Sequence, residues 1–255
     1  MSLAPVQLLG VNIHPVNQAA LLAALDGAAR TAQPGLFANV NVHAMNLACQ
    51  DPEFRAILNS AQLVFVDGFG VSLGAKLAGV AVGERLTPAD WIDVWLAHCA
   101  EHQWSVFWLG DTEAVGADFE RNLRQRHPQC RLVGRHHGFF AKTGPESAAV
   151  VAQINASGAQ VLLVGMSMPI QEKWLWAHRM ELQPAVRLAV GGLARIYTGH
   201  IRRGPKWMTD YGLEWLFRLA MQPRYTWRRY LIGNPLFIFR VMAQRCGWPT
   251  RCSRN

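Results

Sequence analysis

Ser105–Val106–Phe107–Trp108–Leu109 runs into Gly110–Asp111, and Thr112 follows. Five apolar or small residues with bulk on both faces describe a strand buried on both sides. Gly110–Asp111 closes it, and Thr112 caps a helical pattern that reaches about Arg126. The same unit recurs along the chain. Gln62–Val66 (QLVFV) ends at Asp67–Gly68, Gln160–Val164 (QVLLV) at Gly165, and Val186–Val190 at Gly191–Gly192. Gly35–Val42 and Arg131–Arg135 read as further strands, the second leading to Gly138. Helical patterns start near His43, span Pro145–Ala156, and run from Ile170 to about Leu182. Thr87–Pro88–Ala89–Asp90 starts another: Thr87 as N-cap, Pro88 at the first helical position, Asp90 in the first turn. Strands alternating with helices imply βαβ units. The expected class is α/β, a Rossmann-like and mostly parallel sheet flanked by helices.

The chain has 255 residues, of which 51% are hydrophobic and 16% charged. That suffices for a sizeable core and excludes a disordered protein. No run reaches the roughly 18 to 20 apolar residues of a spanning helix. The best candidate, Tyr230–Met242, is interrupted by Asn234, Pro235 and Arg240. The start lacks the basic and apolar regions of a secretory signal. The expectation is a cytoplasmic protein, soluble or peripheral on the inner face of the membrane. Cys49, Cys99, Cys130, Cys246 and Cys252 are odd in number, widely spaced and without a CxxC pair. Buried or idle thiols are expected, not a disulfide framework or a zinc site.

The net charge is +8, and its distribution matters more than its sum. Residues 1–194 hold 13 Lys+Arg against 15 Asp+Glu, whereas residues 195–255 hold 12 against 2. Composition therefore divides the chain into a core, 1–195, and a basic, aromatic-rich helical C-terminal appendage, 196–255. Arginines interleaved with Trp and Tyr suit an anionic membrane surface or single-stranded nucleic acid. Leu231, Ile232, Phe237, Phe239 and Met242 favour the membrane, because nucleic-acid grooves rarely need such aliphatic bulk. An ordinary packing helix with a solvated basic face is the third reading.

In open parallel sheets, ligands bind beyond the carboxyl ends of the strands. Asn39, Asn41, Asp67–Gly68, Gly110–Asp111, Gly138, Gly165 and Gly191–Gly192 all fall there. Strand-end glycines admit a ligand's close approach, and helix N-termini favour phosphate. A nucleotide or sugar-nucleotide site follows, although the same glycines also serve as plain turns. GxGxxG and GxxxxGK[ST] are absent, which weakens dehydrogenase and P-loop readings. Asp67 is the candidate general base, since partial burial after an apolar strand raises a carboxyl pKa. A turn or cap aspartate fits the same position. No Asp-x-Asp triplet offers a carboxylate cradle for a divalent ion. Nine histidines show no metal-binding spacing, and His136–His137 read better as strand-end histidines than as ligands. Gln171 and Glu172 follow Pro169 at a helix start and suit sugar hydroxyls, or a dipole-stabilised first turn. Arg85 suits a phosphate, or a pair with Glu84.

Taken together, these residues resemble the WecG/TagA/CpsF glycosyltransferases, glycosyltransferase family 26. The likeness runs from about Leu9 to Met242 in ordered motifs. They are Asn39–Val–Asn41, Val66–Asp67–Gly68, Gly83–Glu84–Arg85–Leu86, Trp108–Leu109–Gly110, Gly138–Phe139–Phe140, Pro169–x–Gln171–Glu172 and Val190–Gly191–Gly192. The most specific stretch runs from Arg203–Gly–Pro205 through Gly212–Leu213–Glu214–Trp215 to Pro223–Arg224. The chain departs from the pattern at Asn39, where threonine is common, and at Ile170, where lysine is. It also departs at Asp111, often glycine, and at Arg195, often aspartate.

The resemblance implies inverting transfer of a sugar from a UDP-sugar to a polyprenyl-diphosphate-linked saccharide, without a required metal or other cofactor. The setting it implies is bacterial cell-surface polysaccharide or exopolysaccharide assembly at an anionic membrane. Asp67 is then the base, with Gln171 and Arg85 lining the active site. Arg203, Arg218, Arg224, Arg228 and Arg229 belong to the appendage that closes the site and docks on the membrane. The apolar surface beneath that appendage predicts self-association in its absence. Two other classes remain open: a non-catalytic membrane scaffold, and a basic nucleic-acid-binding module.

Overall fold

The computed structural model describes residues 4–248 and Cys252. The chain opens with β1 (Val6–Leu8), β2 (Val11–Ile13), α1 (Gln18–Thr31), β3 (Gly35–Val40), α2 (Val42–Ala48), α3 (Pro52–Ser60), β4 (Leu63–Val66) and α4 (Phe69–Ala78). It continues with α5 (Pro88–Glu101), β5 (Ser105–Gly110), α6 (Glu113–Arg126), β6 (Arg131–His136), α7 (Gly144–Ala156), β7 (Val161–Gly165), α8 (Ile170–Ala177), β8 (Val186–Ala189) and α9 (Leu193–Tyr197). The last part is helical: α10 (Lys206–Asp210), α11 (Glu214–Met221), α12 (Pro223–Trp227), a π-helical turn Arg228–Ile232, and α13 (Gly233–Arg245).

β3 to β8 form one six-stranded sheet in the order β4-β3-β8-β7-β5-β6, with every neighbouring pair parallel. β1 and β2 make a separate antiparallel hairpin. Side chains alternate across a strand, and here both faces are buried. Ala38, Val40, Val64, Val66, Phe107, Leu109, Leu162 and Val164 enter one cluster with side chains of α2, α3, α4, α7, α8 and α13. Phe37, Leu63, Phe65, Val106, Trp108, Val161 and Leu163 enter the other with side chains of α1, α5, α6 and α9. The result is three layers, helix on sheet on helix. Arg187, inside β8, is 4% exposed and meets its charge locally. Its guanidinium donates to the carbonyls of Pro184, Arg179 and Leu182.

The composition boundary at residue 195 is not a packing boundary. α13 lies on α2 and α4 in the first cluster. Phe237 is fully buried against Gly74, where an added Cβ would come within 2.4 Å of its ring. Asn46 Nδ2 donates to Gly233 O at 2.8 Å, Leu9 N–H donates to Gln244 Oε1 at 2.8 Å, and Arg240 Nη1 donates to Asn46 Oδ1 at 2.6 Å. The expectation of idle thiols is corrected at two positions. Cys49, at the end of α2, is disulfide-bonded to Cys252 across 203 residues of sequence. Cys99 and Cys130 are buried thiols, and Cys246 is an exposed one.

Candidate active site

Two adjoining cavities, about 1380 Å³ and about 560 Å³, open beyond the carboxyl ends of β3, β4, β5, β7 and β8. Ser167, Gly192, Ile201, Arg218, Arg229 and Tyr230 line both. The smaller cavity is walled by Asn39, Asn41, His43, Asp67, Gly68, Arg85 and Thr87, and on the far side by Leu213, Glu214 and Ile238. The larger holds Asp111, Gly138, Lys142, Gly165, Arg195, His200 and Arg202.

Asp67 directly follows β4, and its N–H donates to Val40 O at 2.8 Å. Desolvation pushes its carboxyl above the usual carboxylate range. The Thr87 hydroxyl, donating to it, and the charges of Arg218 and Arg229 oppose that rise, while Glu214 adds to it. Thr87 is therefore not the side-chain cap expected of it. It makes no cap hydrogen bond to α5 and turns to Asp67 instead. Val66 pairs with Arg85 in an isolated parallel bridge, and Leu86 N–H donates to Val66 O at 2.7 Å. That short extension of β4 holds Arg85 in the same cavity wall as Asp67. Glu84 does not take Arg85 as its partner; its Oε2 accepts from Gln18 N–H at 3.1 Å.

Asn39 is 3% exposed and donates through Nδ2 to Ala189 O at 2.9 Å, tying the ends of β3 and β8. Asn41 caps α2, accepting from Ala44 N–H at 3.1 Å. The strand-end glycines fall into two kinds. A Cβ at Gly110 would lie 2.4 Å from Gly165 O, and one at Gly165 would lie 2.5 Å from Trp108 and 2.7 Å from Gly191 O. Those two glycines serve strand packing. Gly138 is crowded similarly, by Met166 and Asp111. A Cβ at Gly191 or Gly192 would meet nothing within 4 Å, and one at Gly68 only Asn41 at 3.8 Å, so these three leave room for a ligand.

Gln171 and Glu172 lie under the cavity floor, both 0% exposed, and with Pro169 they are outside both cavity walls. Gln171 Oε1 accepts from Met166 N–H at 3.3 Å and from Gly191 N–H at 3.1 Å. It thereby clamps the loops after β7 and β8, and its Nε2 donates to Glu172 Oε1 at 2.8 Å. Among the described residues Glu172 Oε2 has no hydrogen-bond partner, and burial pushes its carboxyl up to about 7. Gln171 thus stands where it shapes the site from below.

Asp111 and Arg195, two of the departures noted above, are partners. Arg195 Nε lies 2.6 Å from Asp111 Oδ2, and Nη2 lies 2.9 Å from Oδ1. Asp111 has a positive φ of 51°, a region most side chains avoid. It is held there by the bidentate pair, by Thr112 N–H donating to its Oδ1 at 2.7 Å, and by Gly138 N–H donating to its carbonyl at 2.7 Å.

The five C-terminal arginines divide three ways. Arg218 and Arg229 face both cavities. Arg218 Nη2 donates to Glu214 Oε1 at 3.0 Å. Arg203 pairs with Asp90 and lies 3.8 Å from Glu214, fastening the segment to α5. Arg224 and Arg228 are exposed, with Arg228 over the Trp227 ring. Sequence reasoning missed His43, Thr87 and Glu214 as cavity residues. Burial, and then the charge of Arg229, lower the His43 pKa. Only Glu214 carried a signal, its place in the longest motif.

Ser147, His178 and Glu181 form a relay with Ser147 Oγ 2.8 Å from His178 Nε2 and His178 Nδ1 3.0 Å from Glu181 Oε2. Ser147 is fully buried and also accepts from Trp174 Nε1 at 2.8 Å. No substrate reaches it, and the relay is structural.

A parallel α/β sheet with cationic and carboxylate side chains over its carboxyl ends puts these cavities where open sheets of this kind bind ligands. The family model described as the glycosyl transferase WecG/TagA/CpsF family matches residues 6–251. The chain belongs to that family and is a glycosyltransferase. Among the described residues, no helix is long and apolar enough to cross a membrane.

Proposed function

We propose that the protein transfers a sugar, with inversion, from a UDP-sugar to a polyprenyl-diphosphate-linked saccharide in cell-surface polysaccharide assembly. The single observation that carries this reading is Asp67, desolvated and facing the smaller cavity with Arg218 and Arg229 close enough to act on its charge. Inverting transfer needs one base to take the acceptor hydroxyl proton as that oxygen attacks the anomeric carbon. It also needs cations for the departing diphosphate. Asp67 is the base. Arg218 and Arg229, shared by both cavities, stabilise the diphosphate. The larger cavity, with Lys142, Arg195, His200 and Arg202, takes the nucleotide. The smaller, partly apolar one takes the acceptor end. Gln171 acts as a positioning residue that holds the Gly191 loop.

Donor charge is neutralised by arginines in this mechanism, so no metal or other cofactor is required. The exposed Trp227, Leu231 and Ile232, with Arg224 and Arg228 nearby, rest on the anionic inner face of the cytoplasmic membrane. The donor sugar and acceptor are to be named by experiment. Purified protein is incubated with radiolabelled UDP-sugars and lipid-linked acceptor in anionic vesicles, with and without EDTA. Label entering the lipid phase from one donor, unaffected by EDTA, supports the reading. Absence of both transfer and UDP binding would favour a non-catalytic scaffold.

Asp67→Asn should lower the rate by about 10²- to 10⁴-fold while leaving the fold intact. A base with a raised pKa loses activity as pH falls through that pKa. The acid limb of the wild-type profile should therefore lie above the ordinary aspartate range and be missing from the variant's residual activity. An Asp67→Asn enzyme with wild-type rate sinks the assignment.

A further inference from the structure

We infer that Asp26, His98 and His102 form a binding site for a divalent transition-metal ion of the zinc class, at the end of the molecule away from the cavities. α5 begins beside Asp67 and runs back along the sheet, so its last turn, with both histidines, points the other way. His98 and His102 are one helical turn apart on a single face. Asp26 comes from α1, whose side chains share the same core cluster as those of α5. Asp26 Oδ1 lies 2.9 Å from His98 Nε2 and 4.0 Å from His102 Nε2, and the three ligand atoms all fall within 4.8 Å of one another. Metal–ligand bonds of about 2.0 to 2.2 Å place neighbouring tetrahedral ligand atoms roughly 3.3 to 3.5 Å apart. A small rotamer adjustment seats an ion. Two imidazoles and one carboxylate are donors for Zn²⁺, Co²⁺, Ni²⁺ or Cu²⁺. The side chains are 23% to 32% exposed, which leaves a coordination position for water.

The surroundings hold the ligands in the required state. Arg30 Nε donates to Asp26 Oδ2 at 2.7 Å, and its Nη2 lies 3.1 Å from His102 Nε2. A guanidinium only donates, so the His102 Nε2 lone pair is directed at Arg30, and that lone pair is the one an ion would take. Arg30, which also lies over the Trp104 ring, stands in for the cation, and an ion would displace its half-exposed side chain into water. The two imidazole centroids are 4.4 Å apart and the Trp104 ring lies 5.0 Å from His102 and 5.4 Å from His98, which fixes both rings. Glu101 Oε2, 3.8 Å from His98 Nδ1, occupies the outer-shell position that ligating histidines commonly use. An ion here replaces the proton shared by His98 and Asp26 and bridges α1 to α5.

The test uses the full chain, free of any affinity tag, at about pH 7.5. Zn²⁺ is titrated by calorimetry, and Cu²⁺ by quenching of tryptophan fluorescence, with Trp104 beside the site. One ion per chain is expected, with a rise in melting temperature on Zn²⁺ addition. His98→Gln and His102→Gln should each weaken binding by more than the about 10- to 100-fold that a lost outer-shell partner costs. Arg30→Gln should tighten it, because the competing cation is gone. Circular dichroism of the metal-free variants checks the fold, and Asp26→Asn repeats the test should a histidine variant fail to fold. Sugar transfer plays no part in the readout, so its outcome stands apart from the proposed reaction. No one-to-one binding, unchanged binding in the histidine variants, or no tightening by Arg30→Gln would each overturn the site.

Discussion

α11 and α13 come from the same basic, aromatic-rich stretch, yet they are built differently. α13 buries Phe237, Val241 and Ala243 and is tied by hydrogen bonds to Leu9, Asn46 and Leu77. α11 buries no side chain completely. Around it Trp207, Tyr211, Leu216, Met221, Trp227, Leu231 and Ile232 stand exposed, and Arg203 links it to the core by pairing with Asp90 of α5 and lying 3.8 Å from Glu214 of α11. One composition therefore produces a helix completed by the fold and a group of helices left for something else to complete. Burying an apolar side chain is worth about 1.5 to 3 kcal/mol, so a cluster of exposed ones is a standing drive toward a surface.

Three experiments sharpen that contrast. The largest effect belongs to α13. Phe237→Ala empties the space that Gly74 leaves for the ring and should cost about 3 to 5 kcal/mol in chemical denaturation. A loss below about 1 kcal/mol, the scale of an ordinary surface change, would make α13 as peripheral as α11. Next comes Arg218→Gln in α11. Removing a cation aimed at developing charge should lower kcat by about 10²- to 10³-fold, with little change in melting temperature. Stability falling with activity would show that α11 is structural after all. The smallest effect lies in the π-helical turn. Leu231→Asp together with Ile232→Asp should weaken sedimentation with anionic vesicles by about 10-fold or more per side chain, leaving stability unchanged. Unaltered vesicle binding would move the docking surface elsewhere.

The sheet was legible because β4, β5 and β7 are apolar runs that end at glycine or Asp–Gly. Ser105–Gly110 and Val161–Gly165 fall within a residue of where the pattern puts them. β1 and β2, three residues each, are too short to show a period and pass unnoticed. The helix after Ile170 stops at Ala177, short of the expected Leu182, although His178 N–H still donates to Trp174 O at 3.1 Å and Leu182 N–H to His178 O at 3.0 Å, so the chain goes on to Leu182 in turns. Asp67 was legible as a strand-end carboxylate. Thr87 was not, because Thr–Pro–x–Asp reads as a cap whether or not the hydroxyl turns away. Gln171 looked like a substrate ligand because a polar residue at a helix start suits either role. Only its burial and the two backbone N–H groups it accepts from place it beneath the floor. The Cys49–Cys252 bond was invisible because nothing local links residues 203 positions apart.

Asp111 and Arg195 also bear on how this sequence can change. Asp111 alone would leave a carboxylate at 9% exposure with no Arg195 guanidinium against it. Arg195 without Asp111 would lose its bidentate carboxylate at the rim of a cavity already rich in arginine. Each substitution is costly without the other. The two positions therefore constitute one heritable character, and sister lineages should carry both residues or neither.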